Sequence, residues 1–294
     1  MASSTYSSTS TCHRESRQPP TRLGVLGVGE LAESLLVALA RGCQREGRSR
    51  HDLEFHLSPR NDVRSHRLGW RFGAIRHVSN VAVCESSLCM LVGVRPEQLE
   101  ALASELRESH ALSKDHHLMV LAAGVPLQQL QRWFAPARVV RVMTGLAVCE
   151  GQSALTLYPE DPLTRDLLGP AVRQIIAFDD EAAFEASMLA VCVNAWQMAL
   201  QQALLDWFQT VPGMSGPQAR LLLMAQLRDA LALMEAHPDT PPGELASRIG
   251  TPGTWTARGL EQLGGKEGAH RQWQHVLEQL RAEVEQGSAS PGSE

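Results

Sequence analysis

From Arg22 to Tyr158 the chain alternates short apolar runs with segments of helical periodicity, and beyond about Asp161 that alternation nearly stops. No other feature limits the possible folds so much. The runs lie in "RLGVLG", "DLEFHLS", "GAIRHVS", "SSLCMLVGV", "HHLMVLAAG", "ARVVRVMTG" and "SALTLYP", with one more at "RQIIAFDD". Short strands separated by helices need crossover connections. They therefore predict a mostly parallel sheet covered on both faces. Three helical stretches follow, Glu181–Gln209, Gly216–Ala236 and Gly268–Gln286. The first carries apolar residues at 184, 188, 191, 192, 195, 199, 200, 203, 204 and 207, a stripe wide enough to predict a helix buried on most sides.

The first strand runs into "GVLGVGELAESL", which places Gly27-x-Gly29-x-x-Ala32 at the start of a helix. Small residues there let backbone N–H groups approach a pyrophosphate at the helix N-terminus. The alternative is a tight structural turn. The fold class is thus α/β, a Rossmann-like dinucleotide-binding domain over 21–178 followed by an all-helical domain over 179–286. Segments 1–20 and 287–294 read as disordered tails. Glu30 falls inside the turn, where its carboxylate must point away from any phosphate. At the end of the second strand stand His56-Leu57-Ser58-Pro59-Arg60-Asn61, with no acid to bind a ribose 2′-hydroxyl before Asp62. A hydroxyl and a guanidinium suit a 2′-phosphate, so NADP(H) is the expected cofactor, with Ser58 and Arg60 as contacts. An arginine in a solvated loop is the plainer reading of Arg60.

Composition excludes several classes. The net charge of −5 speaks against nucleic acid and against a basic membrane-binding face. The first twenty residues lack the apolar core of a secretory signal, and no uninterrupted apolar run has membrane-spanning length. The six cysteines never form Cys-x-x-Cys and read as buried reduced thiols, in keeping with a cytoplasmic protein. His270 and His275 are wrongly spaced for one helix face, so no metal site is expected.

Four segments in order carry a family resemblance. They are "LGVLGVGELAESLL", "VGVRPEQLEAL", "LAAGVPLQQLQRWF" with "ARVVRVM", and "DTPPGELASRIGTPGTWTARGLEQL". Together they resemble the pyrroline-5-carboxylate reductase family from Arg22 to about Ala282. The resemblance implies NADPH-dependent reduction of a cyclic imine, pyrroline-5-carboxylate to proline. It implies cofactor contacts at Gly27, Gly29, Glu30, Leu31, Val94, Arg95, Ala122 and Gly124, besides Ser58 and Arg60. It places the substrate loop at Gly253, Thr254, Trp255 and Thr256. The Thr256 hydroxyl would serve as the catalytic hydrogen-bond partner of the imine nitrogen. An N-cap of the following helix is the structural alternative for Thr256. A homodimer or higher homo-oligomer, paired through helix 181–209, is also implied, with a small-molecule substrate.

The chain departs from the family pattern in three places. Pro-Asn-Thr-Pro after the sixth strand is replaced by Thr144-Gly145-Leu146-Ala147. The stretch matching Gly-Ser-Gly-Pro-Ala-Tyr is Val191-Cys192-Val193-Asn194-Ala195-Trp196. A glycine of the C-terminal signature is Thr254, followed by Trp255. Trp196 and Trp255 are candidates to line an enlarged apolar pocket, or to pack in the core. A divergent imine or carbonyl reductase, and a catalytically silent nucleotide-binding homologue, therefore stay open.

Overall fold

The computed structural model describes residues 21–47, 52–59, 62–264 and 268–285. Its first part contains β1 (Thr21–Leu26), α1 (Glu30–Arg45), β2 (Leu53–Leu57), α2 (Asp62–Phe72), β3 (Ile75–Arg76), α3 (Asn80–Ser86) and β4 (Cys89–Val92). Next come α4 (Leu99–Glu108), β5 (His117–Val120), α5 (Leu127–Trp133), β6 (Arg138–Thr144), β7 (Ala154–Tyr158), α6 (Pro162–Leu168) and β8 (Gln174–Ala177). All eight strands join one sheet in the order β3-β2-β1-β4-β5-β6-β7-β8. Neighbours are parallel except β6 and β7, whose short connection through Leu146–Glu150 returns the chain without a crossover helix. The reversal of strand order lies between β1 and β4, where open α/β sheets form their ligand crevice at the carboxyl ends of the strands.

The central strands are apolar on both faces because both are covered. Leu23, Val25, Leu91, Met119, Val140 and Val142 pack beneath α1, whose Ala32, Leu35, Leu36, Leu39 and Cys43 recur at helical spacing. Val83, Met90, Leu102, Leu106, Leu118, Val120 and Phe134 fill the opposite layer. Helix α1 sits so close to the turn before β8 that a Cβ at Gly42 would lie 1.6 Å from the Pro170 carbonyl oxygen. Gly42→Ala should therefore force the helix and turn apart and cost about 1–3 kcal/mol. Gly243→Ala, where no atom lies within 4 Å of the new Cβ, serves as the control. Equal melting temperatures for the two variants would disprove the close packing.

The amino-terminal edge of the sheet is closed by a buried polar cluster. Asp161 accepts from the Thr164 N–H at 2.8 Å and from its hydroxyl at 2.7 Å. His117 Nε2 lies 3.0 Å from the same carboxylate, and Arg138 pairs with it. Burial pushes the Asp161 carboxyl up, but the Thr164 bonds and the His117 and Arg138 charges hold it below its ordinary value. Both His116 and His117 are buried, and His117 opens β5.

After β8 the described chain is helical: α7 (Glu181–Gln209), α8 (Gly216–Ala236), α9 (Pro242–Ile249), α10 (Trp255–Leu263) and α11 (Ala269–Glu285). Helix α7 starts where the Asp180 carboxylate accepts the Ala183 N–H, and α8 starts at a capping box of Ser215 and Gln218. The expected burial of α7 is not met within one chain. Phe184 and Met188 are its buried residues, while α8 buries Ala219 and α9 Leu245. Sequence periodicity reports that a face is apolar and says nothing about which chain covers it. Helix α7 also carries an 18-residue window of mean hydropathy 1.2, long and apolar enough by those measures to cross a membrane. Its apolar residues are interrupted by Asn194, Gln197, Gln201 and Gln202, so they form no continuous run.

Candidate active site

The turn after β1 is shaped by close packing on the end of β4. Gly27 adopts φ +90°, and a Cβ there would meet Val94 Cγ1 at 2.6 Å. A Cβ at Gly93 would lie 2.8 Å from the Gly27 carbonyl oxygen and 3.0 Å from Ala32 Cβ. Only glycine fits both positions without displacing backbone. Ser58 reaches across from the end of β2, and its Oγ accepts the Gly27 N–H at 3.0 Å. Gly29 is the N-cap of α1, and no side chain caps that helix. The first N–H groups of α1 therefore point out of the turn at the positive end of the helix dipole. This arrangement suits a phosphate group.

The other residues assigned to the cofactor lie around the same carboxyl edge. Glu30 is exposed and turns toward α2, with its carboxylate 3.9 Å from Arg64 Nη2. Leu31 is half-buried at the start of α1. Val94 follows β4, and Arg95 beside it is exposed, 4.0 Å from Glu97. Ala122 is buried just beyond β5, and Gly124 adopts φ +70° in the same loop. Arg60 lies outside the described residues.

Gly253 adopts φ +86° and turns the chain into α10. Thr254, not Thr256, is the N-cap, and its Oγ1 accepts from the Ala257 N–H at 3.2 Å. Thr256 falls inside the first turn and is exposed. Trp255 is 85% exposed, with the Arg258 guanidinium 5.2 Å from its ring centroid. Among the described residues, the hydrogen bonds of 251–256 are all local. Among the described residues, Thr256 makes no hydrogen bond to the glycine turn. Nor do Trp196 and Trp255 form a pair: Trp196 packs edge-on against Trp273 of α11, with centroids 6.1 Å apart.

Two of the altered segments face each other. A Cβ at Gly145 would meet Asn194 Nδ2 at 3.6 Å and Val191 Cγ1 at 3.7 Å. The loop lost its side chain where the helix gained bulk, so the two departures form one rebuilt wall. Close by lies a residue that the sequence reading left unassigned. Arg141 of β6 is fully buried. Its Nη1 donates to Glu181 Oε1 at 2.7 Å, and its Nη2 pairs with Glu185 and reaches the Ala122 carbonyl oxygen at 3.3 Å. Glu181 Oε1 also accepts the Leu127 N–H at 2.6 Å. An arginine between Val140 and Val142 in the middle of a strand was the signal for this network, but its partners lie 40 and 44 residues away.

Thiol chemistry finds little support. Burial pushes Cys84 up to about 12, and burial also raises Cys89 and Cys149, so these thiols stay protonated at neutral pH. Cys43 and Cys84 are buried as expected, but Cys89 and Cys149 are half-buried and Cys192 is exposed. Among the described residues, no group of three His, Cys, Asp or Glu side chains could hold a metal ion.

No protein-family model matches the sequence. The chain is 28% identical over 263 residues to a pyrroline-5-carboxylate reductase of Glycine max, covering 84% of this chain and 89% of that protein. The structure is similar to the crystal structure of Plasmodium falciparum pyrroline carboxylate reductase with NADP bound, with TM-score 0.73 and 15% identity, covering 92% of this chain and 98% of that one. It is also similar to an imine reductase from Myxococcus stipitatus in complex with NADP+, with TM-score 0.52 and 16% identity, covering 74% and 76% of the two chains. In sequence along most of its length, and in fold, this chain is similar to pyrroline-5-carboxylate reductases.

Proposed function

We propose that this protein is an NADP(H)-dependent oxidoreductase that reduces the C=N bond of a cyclic imine, with pyrroline-5-carboxylate as the first substrate to test. The observation that carries the reading is the uncapped N-terminus of α1 above a turn that only glycine can make. The relatives named for this chemistry in sequence, and the NADP-bound proteins similar in fold, support it. Residues 21–178 hold the nucleotide and residues 179–286 build the substrate side and the contact between subunits. The work is expected in the cytoplasm.

A bound NADPH would supply the hydride. The chain's own part is mainly positioning, since a cyclic imine is basic enough to be partly protonated near neutral pH and needs no strong general acid. The first N–H groups of α1 would hold phosphate, and the Val94 and Ala122 segments would border the cofactor at the carboxyl edge. Thr256 would offer its hydroxyl to the imine nitrogen, and the N–H groups at the start of α10 would hold a substrate carboxylate. Among the described residues of one chain, Thr256 makes no hydrogen bond to the glycine turn. A second copy would complete the site by presenting its own 251–256 loop, which fits the uncovered apolar faces of α7 and α8.

Oxidation of NADPH by the purified protein, followed with and without pyrroline-5-carboxylate, tests this directly. Thr256→Ala should lower kcat about 10- to 100-fold, as expected for one lost hydrogen bond to a charging group. Unchanged turnover would remove Thr256 from the mechanism. The rebuilt wall at Gly145, Val191 and Asn194 favours a second reading, in which another imine or a carbonyl compound is the substrate. Tight NADPH binding without turnover of pyrroline-5-carboxylate would select it. Absence of both would leave a catalytically silent homologue.

A further inference from the structure

The loop between β5 and α5 is pinned to α7. Helix α5 begins at Leu127, and its cap residue Pro126 offers no side-chain acceptor. Glu181, in the first turn of α7, supplies one: its Oε1 accepts the Leu127 N–H at 2.6 Å. The same oxygen accepts from Arg141 Nη1 at 2.7 Å, and Arg141 Nη2 donates to the Ala122 carbonyl oxygen at 3.3 Å. Residues 122–127 are therefore anchored at one end through Arg141 and at the other through Glu181. Between the anchors Gly124 adopts φ +70° and Val125 is buried. Farther along α7, Val191 and Asn194 face Gly145 just beyond β6. One helix thus carries both the anchor of the loop and the rebuilt wall.

We infer that Glu181 is a positioning residue for hydride transfer, holding the 122–127 loop in fixed register with the α7 wall. This rests on the reading of the chain as an NADP(H)-dependent imine reductase. The loop follows a strand at the carboxyl edge of the sheet, where an open α/β fold binds its nucleotide, and on that reading the wall belongs to the substrate side. Hydride transfer depends on the separation and alignment of its two partners, and an error of about 1 Å costs on the order of 100-fold in rate. Ala123, Gly124 and Pro126 are exposed, so packing alone does not fix the loop. The grip on phosphate is separate. It belongs to the α1 turn, which among the described residues makes no hydrogen bond to Glu181. Loss of the Glu181 tie should therefore spare nucleotide affinity and lower the rate. A tie with a purely structural role would lower the melting temperature and leave the rate of the folded protein unchanged.

The test compares Leu127→Pro with Leu127→Ala in the full-length protein. Pro126 has φ −60° and ψ 144°, a backbone that accepts a following proline, and the first position of a helix needs no N–H of its own. Proline therefore deletes the N–H that Glu181 accepts and leaves the Arg141 pair in place. Alanine removes the same leucine side chain and keeps the N–H. Relative to the alanine variant, the proline variant should lower kcat with pyrroline-5-carboxylate at least about tenfold, with the Kd for NADPH unchanged within about twofold. NADPH should also slow amide exchange at the start of α7 in the wild type and the alanine variant, and not in the proline variant. If the proline variant does not fold, Glu181→Gln, which keeps an oxygen acceptor, should retain kcat within about threefold, whereas Glu181→Ala should lose at least about tenfold. Equal kcat in the two Leu127 variants, or a parallel loss of kcat and NADPH affinity, would overturn the assignment. If the wild type binds NADPH but leaves pyrroline-5-carboxylate unreduced, the exchange measurement decides: α7 amides that ignore NADPH in the wild type sink the assignment and leave the nucleotide reading intact. Wild-type protein that binds no NADPH would end the enzyme reading itself, and this assignment with it.

Discussion

Replacing Arg141 by methionine should lower the melting temperature by roughly 10 °C. Removing one partner of a buried ion network costs about 3–5 kcal/mol, and each kcal/mol shifts the midpoint of a chain this large by about 2–4 °C. The side chain is fully buried, and its guanidinium stands 4.9 Å over the Phe184 ring while it holds Glu181 and Glu185. Methionine would fill most of the volume but leave two carboxylates facing each other without a cation. The loss should therefore shrink when Arg141→Met is combined with Glu181→Gln and Glu185→Gln, which remove the orphaned charges. The effect should also reach the nucleotide side. Glu181 accepts the Leu127 N–H, and Arg141 reaches the Ala122 carbonyl, so the loop beyond β5 is tied to α7 through this one group. A thermal melt of the single and triple variants decides the matter. If the single variant melts with the wild type, the network contributes nothing measurable.

The second large effect is expected from Leu231→Glu. Helix α8 sets Met224, Leu227, Leu231 and Met234 on one face, each at least 39% exposed within a single chain. Helix α7 adds Met198, Leu200, Leu204 and Trp207. A lone soluble chain seldom leaves so broad an apolar surface in water, because each Å² costs about 25 cal/mol. A second copy is the occupant that the proposed site calls for, since among the described residues the 251–256 loop makes no hydrogen bond to the glycine turn of its own chain. In an isolated chain a glutamate at 231 would be solvated and harmless. In a subunit contact it would be buried without a partner and would split the assembly. The wild type should sediment as a dimer or larger, and the variant as a monomer. Nucleotide binding should persist, but turnover should fall at least about 100-fold. A wild type that sediments as a monomer, or a monomeric variant with full turnover, would show that one chain is sufficient.

The fold was largely legible in the sequence because most of its signals are local. Each strand shows as an apolar run with no helical periodicity, and the ends of α7 and α8 are marked by Asp180 and Ser215, which accept backbone N–H groups a few residues ahead. The glycine turn was legible for the same reason, since a strand, a tight turn and a helix start follow one another directly. Less was readable where several weak signals overlap. Helices α2 and α3 are short, and three threonines in and just after the loop between α9 and α10 offer competing caps. Sequence alone could not tell that Thr254 takes the cap and leaves Thr256 free to face outward.

What the sequence by itself determined is the class of fold, the position of the glycine turn and the existence of an apolar helical part. Those follow from periodicity, from glycine's conformational freedom and from capping, which act over a few residues. Tertiary structure alone decided the rest. It brought Gly145 against Asn194, set Glu33 between Arg64 and Arg67, buried Arg141 under Glu181 and Glu185, and parted Trp196 from Trp255. It also left α7 and α8 uncovered within one chain. Charges and amides pair through space at hydrogen-bond distance, and a linear pattern carries no record of which distant groups the sheet order will bring that close.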